Sequence, residues 1–83
     1  MIRLEQYDNK NLRKLITDDY TIWFSYETPI AFQADYGTIA TKFVAKNEWS
    51  NTTGRHLGII KREMQIFVEV PHGTLMAMIE DFI

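Results

Sequence analysis

The alternation between residues 20 and 43 constrains this chain more than any other feature. Tyr20, Ile22, Phe24 and Tyr26 alternate with Thr21, Trp23, Ser25 and Glu27. A period of two in aromatic and β-branched residues is what a pleated strand places on opposite faces. Glu27-Thr28-Pro29 interrupts the pattern, because Pro fixes φ and lacks an N–H. The alternation resumes with Ile30 and Phe32. Asp35-Tyr36-Gly37 supplies a second turn, with Gly free to take positive φ. Ile39, Thr41 and Phe43 then form the inward face of a third strand. Three consecutive antiparallel strands follow, with Trp23 on the face opposite Phe24. That tryptophan is either covered by another element or exposed.

The flanks add to this meander. Residues 2–7 alternate as a further strand, which ends at the turn-prone pair Asp8-Asn9 and lies at the sheet edge. Leu12, Leu15 and Ile16 fall at i, i+3 and i+4, which suits a short helical turn opening near Asn9 or Asn11 and closing before Asp18-Asp19; a strand is the alternative. After the meander, Thr53, Leu57, Ile60 and Met64 share one stripe of a helix, with Trp49 and His56 at its margin. Ser50 or Thr52 caps it. Residues 64–70 read as a strand that Pro71 stops. Leu75, Met78, Ile79 and Phe82 define a second amphipathic helix.

Eighty-three residues support one small core, so the chain is expected to be a single domain over 1–83. The expected fold class is α+β: an antiparallel meander sheet of about four or five strands, with helices over 50–63 and 72–83 packed on one face. Hydrophobic residues at 46% and charged residues at 24% fit a folded protein and not a disordered one. The absence of Cys removes disulfides, thiolate metal sites and Cys nucleophiles. No apolar run approaches a bilayer-spanning length and the first residues show no signal-peptide core, so a cytoplasmic protein without a membrane partner is expected.

Two segments in the middle of the chain stand together: Phe24-Ser25-Tyr26-Glu27-Thr28-Pro29-Ile30-Ala31-Phe32, then Asn47-Glu48-Trp49-Ser50-Asn51-Thr52-Thr53-Gly54-Arg55-His56-Leu57. A Ser-Tyr-x-Thr-Pro hairpin followed by a Trp-Ser-x-Thr-Thr-x-x-His helix start resembles a class of small uncharacterised proteins carried by phages and other mobile elements. The resemblance implies a phage-like origin and a small α+β fold. It brings no catalytic residues, and the first 19 and last 20 residues lie outside it.

Charge is unevenly distributed. Residues 1–19 sum to 0, 20–41 to −2, 42–63 to +3 and 64–83 to −3, giving the net −2. If folding preserves that asymmetry, a basic patch faces one way and an acidic patch another. On the first helix, Arg55, Ile59, Arg62 and Thr52 cluster away from the core stripe. Arg beside an accessible apolar group is favoured at interface centres, so these four form a candidate partner-binding surface. The same helix start carries Ser50, Thr52, Thr53, Arg55 and His56, a candidate anion site on unsatisfied N–H groups. The commoner role of Ser and Thr there is capping, and that of Trp49 is core.

Catalysis has little support. Only His56 and His72 are available, no His-x-x-x-His or Glu-x-x-His pair exists, and no phosphate-cradling Gly-rich loop occurs. The chain therefore reads as a non-enzyme without catalytic or metal-ligating residues and without a cofactor. The leading expectation is a protein-binding module, a phage-encoded modulator or inhibitor of a host factor in the host cytoplasm. The alternative is a nucleic-acid-binding accessory protein using Lys42, Lys46, Arg55, Lys61 and Arg62, which the negative overall charge disfavours. A free first or third strand, or an uncovered Trp23 face, would invite homodimerisation.

Overall fold

The computed structural model describes residues 2–8, 11–36 and 39–83. Six strands and two helices follow in the order β1 (Arg3–Gln6), β2 (Leu12–Ile16), β3 (Tyr20–Ser25), β4 (Thr28–Tyr36), β5 (Ile39–Ala45), α1 (Asn51–Met64), β6 (Val68–Val70) and α2 (His72–Phe82). The strands form one sheet in sequence order, antiparallel throughout except for the parallel pair of β5 and β6. The fold is α+β, with one or two more strands than the sequence suggests.

The additional strand is β2. Leu12, Leu15 and Ile16 do not form a helical turn; they pair with Ser25, Ile22 and Thr21 of β3. The i, i+3, i+4 spacing was a coincidence in a five-residue strand that has partners on both sides. Asn9, named as one start of that turn, lies outside the described residues. The second turn also moves, because Asp35 and Tyr36 belong to β4 and pair with Ala40 and Ile39; Gly37 lies outside the described residues. Near the chain's other end, Met64 closes α1, and only Val68–Val70 of the expected longer strand forms. Gln65 separates the two elements, with φ of 68° and its N–H on the Lys61 carbonyl at 2.9 Å.

The helices lie on opposite faces of the sheet, not on one. Trp23, Ala31 and Val44 pack with Leu57, Ile60 and Met64 of α1, whereas Ile22, Phe32, Ala34 and Ala45 pack with Leu75 and Ile79 of α2. Neighbouring residues on one strand thus serve different helices, as the pleat requires. α1 is the cover that Trp23 needed. The indole N–H donates to the Tyr7 hydroxyl at 3.0 Å, which in turn donates to the Glu63 carboxylate at 2.8 Å. On the other face Phe82 meets Tyr20 and Phe32 edge-on, with centroids 5.8 and 5.4 Å apart.

Two irregularities shape the β3–β4 hairpin. Phe24 pairs with Pro29 and Trp23 with Ala31, which leaves Ile30 as a bulge. Ile30 consequently shares α1's core with Ala31, while Phe32 faces α2, so the two do not share a face as the sequence suggests. The loop itself is Tyr26 and Glu27, since Ser25 pairs with Thr28. Two-residue hairpin loops demand positive φ, and Tyr26 supplies it at 58°. An L-residue there costs about 1–2 kcal/mol. Offsetting contacts are the Tyr26 N–H on the Asn11 carbonyl at 2.7 Å and the Arg13 guanidinium on the Tyr26 carbonyl at 2.8 Å.

Candidate functional site

α1 has an inner and an outer face, and the sequence-predicted site residues divide between them. Thr53, His56, Leu57, Ile60 and Met64 are buried. The buried set includes His56, which the periodicity places at the margin. Its ring is tilted 47° to the Tyr26 ring, with centroids 6.1 Å apart. Its Nδ1 is 2.6 Å from the Ser25 hydroxyl, which is also 3.3 Å from the Thr53 hydroxyl. Burial holds the imidazole below its ordinary pKa, so it is neutral and suited to accept the Ser25 proton in a hydrogen bond. This contact fastens the end of β3 to the first turns of α1.

The five residues of the candidate anion site are therefore not brought together. Thr53 and His56 point inward, and Arg55 points outward. Ser50 takes the N-cap position with extended backbone, but its side chain makes no capping bond. The first helical bond instead runs from the Gly54 N–H to the Ser50 carbonyl at 3.1 Å. Trp49 is not core: it is exposed and stands edge-on to the His72 ring, 4.8 Å away. Glu48 reaches the other helix, where its carboxylate accepts the His72 N–H at 2.8 Å and satisfies a first-turn donor of α2. No sequence pattern pointed to the Ser25–His56 or Glu48–His72 contacts, which join residues 31 and 24 positions apart.

The outer face keeps the other set together. Arg55, Ile59 and Arg62 line one shallow groove with Asn47, Asn51, Gly54 and Gly58. Thr52 is half-buried and does not line it. Ile59 rests its inner side on the core around Trp23 and leaves the remainder in the groove. Two glycines at i and i+4 lower the groove floor, two guanidinium groups flank it, and among the described residues no carboxylate lines it. Such a surface suits an anionic, extended or small-residue segment that can approach the helix backbone closely.

The wider basic set is less coherent. Lys61 holds Glu69 at 2.9 Å, and Lys42 turns toward the carbonyl of Met64 at 3.4 Å. Among the described residues, no group of three or more His, Asp or Glu side chains can hold a metal ion. No described helix is long and apolar enough to cross a membrane.

Fold and surface together define a small α+β domain whose sheet carries one helix on each face, with a basic groove on the outside of the first. Residues 3–66 match the Family of unknown function (DUF8033), and the chain belongs to that family. Neither the curated proteins nor the solved structures offer a match.

Proposed function

We propose that this protein is a non-enzymatic binding module that docks an anionic segment of another protein in the groove along α1. The observation that carries the reading is the convergence of Arg55, Ile59 and Arg62 over the Gly54 and Gly58 floor, with no acidic side chain among the described residues that line it. Guanidinium forks supply paired hydrogen bonds to carboxylates, and the accessible part of Ile59 supplies apolar contact between them. In a phage-borne setting, which the middle of the chain resembles, the partner is a host factor in the host cytoplasm and the module acts by occupying its surface.

Nucleic-acid binding is the second reading and is favoured by the same two arginines. It is weakened by the engagement of Lys61 with Glu69 and of Lys42 with a backbone carbonyl, because phosphate tracking needs free cations in a row. Affinity capture from host lysate, with and without nuclease, separates the two. A protein that survives nuclease and is lost with the folded Arg55→Glu/Arg62→Glu variant supports the docking reading. Recovery that depends wholly on nucleic acid, with a steep loss of binding as salt rises, moves the second reading to first place.

A further inference from the structure

We propose that the outer edge of β1 pairs antiparallel with β1 of a second copy of this chain, on a two-fold axis at Leu4, joining two six-stranded sheets into one. Among the described residues, β1 ends the sheet and has β2 as its one neighbouring strand. Leu4 on the strand is 61% exposed and Ile2, just before it, 75%, so apolar side chains stand open along this edge.

Backbone direction limits the registers. The Tyr7 N–H donates to the Leu12 carbonyl at 3.0 Å, and the same ladder pairs Glu5 with Lys14 and Arg3 with Ile16. In an antiparallel ladder alternate residues turn both backbone groups toward one neighbour. The odd-numbered residues of β1 therefore face β2, and Leu4 turns its N–H and C=O to the open edge. A second copy can bond to that edge only where even residues meet even residues. Four two-fold registers of that kind have their axis on a residue of β1; the one centred on Gln6 sets Glu5 against Tyr7 and runs past the end of the strand. Centred on Arg3, the pairing sets Arg3 against Arg3; centred on Glu5, it sets Glu5 against Glu5. Centred on Leu4, it sets Arg3 of each copy against Glu5 of the other and bonds Leu4 to Leu4 in both directions.

Side-chain placement agrees with the Leu4 register. Arg3 and Glu5 share the α1 face, where Glu5 already meets Arg3 at 2.9 Å and Lys14 at 3.7 Å. Pairing would extend that cluster into an alternating ladder of four charges across the axis. On the other face Leu4 lies beside Leu15, its pairing partner on β2. Two copies would bring both Leu4 side chains together next to both Leu15 side chains and remove an apolar stripe from water.

Charge exchange tests the register directly. Sedimentation velocity over a wide concentration range at low salt is expected to show a reversible monomer–dimer equilibrium. Arg3→Glu alone and Glu5→Arg alone each place like charges opposite one another twice and should weaken dimerisation about tenfold or more. The double variant Arg3→Glu/Glu5→Arg restores opposite signs at both positions and should recover the dimer, with composition and net charge comparable to the original. A protein that stays monomeric at every concentration overturns the proposal, as do single variants that dimerise normally or a double variant no stronger than the singles. Thermal melting of each variant confirms that the edge strand tolerates the change.

Discussion

Gly54 and Gly58 lie on the same helix, one turn apart, yet alanine should act differently at the two. A mid-helix Gly→Ala change is worth about 1 kcal/mol in propensity where the new methyl has room. At Gly58 a Cβ would meet only the Arg62 guanidinium, at 3.8 Å, which is ordinary contact with the end of a flexible side chain. Gly58→Ala should then raise stability by nearly the full amount, which for a domain of this size shifts the melting temperature by about 4–8 °C. At Gly54 the Cβ would stand 3.0 Å from Asn47 Nδ2. That amide is held, because its oxygen accepts the Trp49 N–H at 3.0 Å. Displacing it forfeits a hydrogen bond worth about 1 kcal/mol, so Gly54→Ala should come out near zero. Urea denaturation followed by circular dichroism, with unchanged slopes, measures both. Equal gains at the two sites would refute the role given to Asn47, and a loss at Gly58 would refute the open environment assigned to it. The same Gly58 methyl stands in the groove, so partner capture should fall while the melting temperature rises. Opposite movement of binding and stability is hard to obtain from damage to the fold.

Further expectations concern titration. His56 is neutral and buried, with a folded-state pKa depressed below its ordinary value near 6.5. The unfolded chain therefore binds a proton there first as pH falls, and the stability contributed by the neutral form is intact above about pH 6.5 and is lost progressively as pH falls toward the folded value. His56→Gln should flatten that part of the stability–pH profile, and an unchanged slope between about pH 6.5 and 5 would contradict the assignment. At the alkaline end, burial first and the Glu63 carboxylate second push the Tyr7 phenol far above its usual range. Absorbance titration should show the Tyr7 phenol ionising only as the protein unfolds, and Tyr7→Phe should remove that late step.

The existence of β1, β3, β4 and β5 was legible from the alternation of their residues, whereas the short β2 reads first as a helical turn. Which face each helix covers was not legible. A one-sided sheet announces itself by polar residues on its outer face, and Thr21 and Ser25 suggest such a face on β3. Both are buried, however, with Ser25 hydrogen-bonded to α1 and Trp23 between them packed beneath it. The bulge at Ile30 hid the same fact on β4 by moving one apolar residue across the sheet. Helix α1 was read nearly to its ends, since its stripe is strongly periodic. His56 was misjudged because its reason for being inside is a hydroxyl 31 residues earlier, a relation no local spacing encodes. The grouping of Arg55, Ile59 and Arg62 was readable because it depends only on helical geometry.

The parallel crossover from β5 through α1 to β6 divides the molecule at a telling place. The family match stops at residue 66, just before β6 begins. The matched stretch thus contains five strands and the helix that seals one side of them, but none of α2. Cut there, the chain would leave Ile22, Phe32, Ala34, Phe43 and Ala45 facing water with nothing upon them. A fragment of that kind would be adhesive, prone to collect with others of its sort instead of remaining dispersed. Within the last seventeen residues, Leu75, Ile79 and Phe82 of α2 are thus what keeps that side of the sheet from water.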